Sequence, residues 1–349
     1  MSILVSFPIV RKSISVILFS LLTLSCNYQG NDETLLLSGS TMGTTYTIQI
    51  EPGKKTKNFN KEELAKEINS VLDVVNNLMS TWLKSSEITQ INNKPTGQWI
   101  TVSTDTLYVI ELAQTISKLS KGAFDVTIGS LIDLWGFGAK EVSRNFPDDK
   151  KIQQALLNSG YQNLDIDHTQ NALKKNTPMS LNLSAIAKGY AVDKITQHLS
   201  QYHFSGYLVE IGGEIRTIGK KIDGSQWRVA IESPSPTFRE VYKIINITER
   251  AIATSGDYRN FFEKNGQRYS HIINPVTGKP ITHNLASVTV VSDTTARADA
   301  IATTLMVMGD KKGMSFCEKN GIAAYFIVSQ NGIFKKRISN AFEKYLVLN

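Results

Sequence analysis

Leu64, Ile68, Val71, Leu72, Val75 and Leu78 recur at three- and four-residue intervals and predict an amphipathic helix. Thr104 to Ser120 repeats the pattern with Ser103 or Thr104 as its cap, and further helices are expected over 148–158, 185–199 and 298–309. Thr44 to Ile50 alternates apolar and polar side chains as a half-buried strand does, and Trp99 to Val102 is a shorter candidate. The second half turns to strands: 206–211, 227–231, 241–247, 287–291 and 323–328 are rich in β-branched or aromatic residues and separated by turn residues. Residues 136–147 read as loop. Helices and strands intersperse without the regular alternation of a parallel barrel or a doubly wound sheet, so the pattern predicts an α+β domain.

The first 25 residues stand apart. Arg11 and Lys12 precede an apolar run from Ser13 to Leu24, too short for a bilayer-spanning helix of about 20 residues but suited to an export signal. Ser25-Cys26 resembles a lipoprotein cleavage box, in which Cys26 is lipidated and becomes the new N-terminus; Thr23 stands where that box usually has leucine. A plain cleavable signal followed by an ordinary cysteine is the alternative. The expected organisation is therefore a signal over 1–25, a polar tether over 26–34 and one functional domain over 35–349. Cys317 is the only other cysteine, so a lipidated Cys26 leaves no intramolecular disulfide and stability must come from the core. Formal charge is +7, and removing Arg11 and Lys12 leaves +5. The lysines are scattered, with no aromatic-interleaved basic stripe, which argues against a nucleic-acid partner.

Four polar turn segments and one helix carry the candidate chemistry. Gly39 to Thr45 either exposes backbone amides to an anion or simply turns the chain. Gly122-Ala-Phe-Asp125 leads to Trp135, where Phe124 and Trp135 either flank a planar ring or belong to the core. Asn182 opens a segment of small residues in which Lys188 reaches a phosphate or lies at the surface. Ser255-Gly-Asp leads to His271, a proton-exchanging group or a structural histidine. Asp299 and Thr303, one helical turn apart, present two oxygens to one point, a half-site for a hard cation. Alternatively, Asp299 caps its own helix and Thr303 bonds to its own backbone. Walker A, Rossmann, HExxH and Gly-x-Ser-x-Gly motifs are absent from the sequence.

Gly122-Ala-Phe-Asp125, Lys188-Gly-Tyr-Ala-Val-Asp193, Gly212-Gly-Glu214, Ser270 to Gly278 and Asp299-Ala-Ile-Ala-Thr303 occur in the order found in the ApbE family. These bacterial FAD:protein FMN transferases, or flavin transferases, resemble this chain over nearly all of residues 35–345. The resemblance implies an ApbE-like mixed sheet-and-helix domain whose site is assembled from loops distant in sequence. It places Met42 and Trp82 at the border of a flavin pocket, with Ala123, Phe124 and Asp125 on the cofactor. Asn182 and Lys188 would lie by its phosphate or adenosine part, and His271 with Ile272 at the reaction centre. The carbonyl of Ala185, with Asp299 and Thr303, would hold Mg²⁺.

The implied reaction transfers FMN from FAD to a threonine, sometimes serine, hydroxyl of an exported protein and releases AMP. His271 is the expected general base or proton relay, a role exchangeable with Asp299. Typical acceptors resemble FMN-carrying subunits of Rnf and sodium-pumping NADH:quinone reductase complexes, and a lipid on Cys26 would hold the enzyme near them at the periplasmic face of a membrane. The chain departs from the family at Asn182, usually aspartate, at Ser184, often glycine, and at Trp82, where tyrosine is common. A Mg²⁺-dependent FAD diphosphatase, with water as acceptor, and a non-enzymatic flavin-binding lipoprotein are the competing readings.

Overall fold

A computed structural model describes residues 33–139, 147–234, 240–257, 261–264, 267–330 and 333–346, all within the unit Asp32–Asn349. The export signal, Cys26 and the tether up to residue 32 lie outside the described residues.

Strands β1 (Leu35–Thr41) and β2 (Thr44–Glu51) open the chain as a hairpin. Its two turn residues, Met42 and Gly43, both have positive φ, the geometry that matches strand twist in a two-residue hairpin. The 39–45 segment thus does turn the chain, at Met42-Gly43, while Gly39 itself is a strand residue. A β-carbon there would stand 2.6 Å from the ring of Tyr46, its cross-strand partner, so this glycine makes room for a buried tyrosine. Helices α1 (Lys61–Met79) and α2 (Glu87–Asn93) follow, then β3 (Trp99–Thr101) and α3 (Thr104–Leu119). Ser103 caps α3, accepting from the Thr106 amide.

Short helices α4 (Gly129–Leu134) and α5 (Asp149–Asn158) lead to β4 (Leu164–Asp167) and β5 (Ala172–Lys175), which form a small sheet with β3. After α6 (Ala187–Ser200) come β6 (Gly206–Ile211), β7 (Glu214–Gly219), β8 (Trp227–Glu232), β9 (Val241–Ile247) and β10 (Ala251–Gly256). The hairpin β11 (Phe261–Lys264) and β12 (Gln267–Ser270) precedes β13 (Leu285–Ser292), the long helix α7 (Thr295–Asn320), β14 (Ala323–Gln330) and β15 (Ile333–Ile338).

The main sheet runs β1-β2-β6-β7-β10-β13-β14-β15, antiparallel throughout, which makes the domain α+β. Alternation along β14 divides two cores. Ala324, Phe326 and Val328 face α1, α3, α6 and α7, whereas Ala323, Tyr325 and Ile327 face the β8–β9 ribbon and Phe342. Edge strand β15 is different: Lys335, Lys336 and Arg337 are exposed along it. Among the described residues, no helix is long and apolar enough to cross a membrane.

Helices α6 and α7 pack at their first turns, and neither has an N-cap side chain of its own. Each is capped by an aspartate of the other. Asp193, on α6, accepts from the amides of Thr295 at 2.8 Å and Ala296 at 2.9 Å; Asp299, on α7, accepts from the Gly189 amide at 3.1 Å. The close approach needs Gly189, because a β-carbon there would meet the Thr295 carbonyl oxygen at 2.4 Å. Asp299 therefore does not cap its own helix, which begins at Thr295. Farther along, α7 breaks at Gly309 (φ 74°, ψ 175°), and the ring of His283 fills the break, its Nε2 donating to the freed Met306 carbonyl at 2.7 Å.

The free Cys317 is buried in the α7 face of the core, and burial, assisted by Glu318, pushes its thiol up to about 12.

Replacing Asp193 with alanine leaves two buried amides without an acceptor. We expect a loss on the order of 2 kcal/mol in urea unfolding, with Asp193→Asn recovering part of it by keeping one oxygen.

Candidate active site

The ends of the two helices, the β6–β7 turn and the loops that precede α4 and α6 surround a cavity of about 860 Å³. Trp82, Ala123, Phe124, Asp125, Asn182, Ala185, Lys188, His271, Ile272, Asp299 and Thr303 all line it, so segments spread along most of the domain meet at one place. Met42 is the exception. It occupies the β1–β2 turn and packs against the main core instead of lining the cavity.

Asp299 is 2% exposed on α7, with Lys188 Nζ 3.9 Å from Oδ2. Lys188 also lies 3.2 Å from Glu214 Oε1, placing one ammonium between two carboxylates. Burial pulls the lysine's proton affinity down, and the two acids more than offset this, so the ammonium is held charged. Burial also raises both acids above the ordinary carboxylate range, with Lys188 opposing. One turn beyond Asp299, Thr303 does not bond to its own backbone. Its hydroxyl lies 3.2 Å from that of Ser255 on β10, while the neighbouring Thr304 makes the bond back to Ala300.

The loop before α6 is held on both sides. Asn92 makes paired bonds to Leu181, its Nδ2 donating to the carbonyl at 2.9 Å and its Oδ1 accepting from the amide at 2.7 Å. The Asn182 amide donates to Val126 at 2.8 Å, and Asn182 Oδ1 accepts from Ser184 at 2.9 Å. An amide oxygen thus closes the turn that an aspartate would close, without the charge. Ala185, which follows in the same loop, lines the cavity.

Asp125 lines the cavity, yet its carboxylate is turned to the scaffold. Oδ1 accepts from the Thr127 amide at 2.8 Å and hydroxyl at 2.7 Å, and Oδ2 from the Tyr161 amide at 2.9 Å. Burial raises its pKa above the ordinary value against these bonds.

Of the two readings left open for the aromatic pair, Trp135 follows the core one, while Phe124 is buried and also lines the cavity. Trp135 is only 7% exposed and lies outside the lining, with Nε1 donating to the Gly278 carbonyl at 2.8 Å and its ring stacked on Tyr269. It braces the loop that carries His271. Phe137, which periodicity did not single out, lines the cavity and meets the His271 ring edge-on at 6.3 Å. Trp82 stands at the rim, 68% exposed. Glu214 and Ser255 are the other contributors whose roles the residue patterns left unassigned. Glu214 carried a signal, because Gly212-Gly-Glu214 is one of the motifs shared with the family.

Among the described residues, no group of three or more His, Cys, Asp or Glu side chains is arranged to hold a metal. The side-chain oxygens of Asp299, Thr303 and Ser255, with Ala185 on the same wall, are nevertheless of the kind a hard cation such as Mg²⁺ accepts, since it takes few protein ligands and completes its shell with water and phosphate.

Asp125→Ala should destabilise the ligand-free protein by about 2 kcal/mol, since three donors lose their acceptor; thermal melting without nucleotide checks this, and an unchanged melt would show that the carboxylate has no scaffold role.

The ApbE family profile matches residues 42–326. The FAD:protein FMN transferase of Vibrio cholerae is 43% identical over 317 residues, covering 90% of this chain and 93% of that protein. Its counterpart in Haemophilus influenzae is 39% identical over 341 residues, covering 96% and 98%. The solved flavin transferase ApbE from V. cholerae superposes with a TM-score of 0.83 at 42% identity, over 90% of this chain and 99% of that one. The apo flavinyl transferase ApbE of Pseudomonas stutzeri does so with 0.83 at 37% identity, over 90% and 97%. With sequence, fold and the order of the site segments in agreement, the chain belongs to the ApbE family.

Proposed function

We propose that this protein is a FAD:protein FMN transferase, which moves FMN from FAD to a threonine or serine hydroxyl of an exported protein. The observation that carries the reading is the meeting of Lys188, Asp299 and Thr303 in one cavity large enough for a dinucleotide. A cation and an oxygen half-site side by side are what a diphosphate requires.

In the reaction, the acceptor oxygen forms a bond to the phosphorus of the FMN half. The diphosphate P–O bond breaks, and AMP leaves with the electron pair. Neutralisation of the diphosphate charge is the chemistry that Mg²⁺ would supply when bound. Lys188 offsets further charge and orients the phosphates. Asp299, Thr303 and the Ala185 carbonyl would hold that cation. His271, on the wall beside Phe137, accepts the proton that the attacking hydroxyl loses. Phe124 and Ile272, both nearly buried, supply apolar surface for the flavin ring, and the exposed Trp82 covers it from the rim.

The residues around Cys26 support lipidation there, which would keep the enzyme at the periplasmic face of a membrane. The acceptor would then be an exported subunit of the Rnf or sodium-pumping NADH:quinone reductase type.

Incubation with FAD, Mg²⁺ and such an acceptor should yield AMP and acceptor-linked FMN in equal amounts, read by chromatography and intact mass. AMP with only free FMN would replace transfer by hydrolysis, and stable FAD binding without AMP would replace both by storage. Asp299→Ala should remove the response to a magnesium titration more than it weakens FAD binding. His271→Ala should keep FAD bound while slowing single-turnover transfer on the order of 100-fold. An undiminished rate would take His271 out of the chemistry.

A further inference from the structure

Of the two carboxylates on Lys188, the nearer belongs to Glu214, which has no part in the chemistry derived above. Glu214 is 2% exposed and lines the cavity. Its backbone is well fixed, because it opens β7 opposite Ile211, directly after the Gly212–Gly213 turn. That turn is itself tied down by the Gly213 amide, which donates to Glu210 Oε1 at 2.7 Å. Glu214 Oε1 lies 3.2 Å from Lys188 Nζ, and Oε2 is buried with no hydrogen-bond partner.

An isolated lysine ammonium sits on a flexible four-carbon stem and loses considerable rotamer freedom when it must meet a ligand at one point. Asp299 alone is a poor anchor for it, at 3.9 Å and with Oδ2 already accepting from Gly189. A buried acid whose second oxygen finds no donor is costly in a fold that gains nothing else from it.

We propose that Glu214 is a positioning residue, which fixes the Lys188 ammonium against Asp299 so that the phosphates of an incoming flavin dinucleotide meet a cation already in place. The inference rests on the FAD reading above and adds to it a residue which acts through Lys188 rather than on the substrate.

Electrostatics makes the idea testable by sign. An ionised Glu214 repels a diphosphate and a neutral one does not attract it, so if Glu214 had no positioning role its neutral replacement would tighten FAD binding or leave it unchanged. Positioning requires the opposite.

The experiment measures FAD dissociation constants, by flavin fluorescence with Mg²⁺ present, for wild type, E214Q, E214D, K188M and K188M/E214Q, with folding checked by circular dichroism. E214Q should weaken binding on the order of tenfold and raise KM more than it lowers kcat for AMP release. E214D should restore part of the loss, and adding E214Q to K188M should cost nothing further. Tighter or unchanged binding by E214Q, or losses that add in the double variant, overturns the proposal. Should E214Q fail to fold, E214D decides: it must weaken FAD binding when Lys188 is present and leave it unchanged in the K188M background. A wild type that does not bind FAD overturns the functional reading and this inference together, whereas a wild type that binds FAD as well as E214Q does overturns this inference alone.

Discussion

The exchange of caps between α6 and α7 is the constraint on which the site depends. A helix N-terminus leaves amides without partners and carries partial positive charge, and an acceptor there contributes about 1 kcal/mol. Here the acceptors cross between helices: Asp193 serves α7 and Asp299 serves α6. The exchange fixes the distance and rotation of one helix against the other, with Gly189 letting the backbones touch. Lys188 precedes that glycine on α6, and Asp299 itself points to the cavity. The positions of the Lys188 ammonium and of the Asp299 carboxylate in the cavity wall are therefore outcomes of helix packing.

Asp299 consequently has two tasks. One oxygen completes the helix contact, and the side chain also belongs to a buried group in which two carboxylates share one ammonium. Burial alone would push both acids toward the neutral form, and Lys188 opposes this only in part. The group therefore carries less negative charge than its two acids would carry in water.

Much of this was legible along the chain. The helical periodicity from Leu64 to Leu78 corresponds to α1, Ser103 does cap α3, and the five strands expected in the second half are all present. What was missed depended on partners distant in sequence. β1 was hidden because Gly39 resembles a turn residue until Tyr46 is seen opposite it. β7, Glu-Ile-Arg-Thr-Ile-Gly, alternates weakly because its first residue is a buried acid. The site segments were found by motif order. Periodicity cannot distinguish an aromatic residue that braces a loop, Trp135, from one that faces a cavity, Phe137, two positions on. Nor can it reveal that the Asp125 carboxylate is occupied by Thr127 and Tyr161.

An open eight-stranded sheet ends in a row of backbone donors and acceptors that another chain can extend. On β15 that row is flanked by Lys335, Lys336 and Arg337, and Arg337 is further tied to Asp310 at 3.1 Å. Two copies brought edge to edge would set these like charges against each other. Pairing through β15 is therefore disfavoured, a safeguard placed on the strand farthest in sheet order from the opening hairpin.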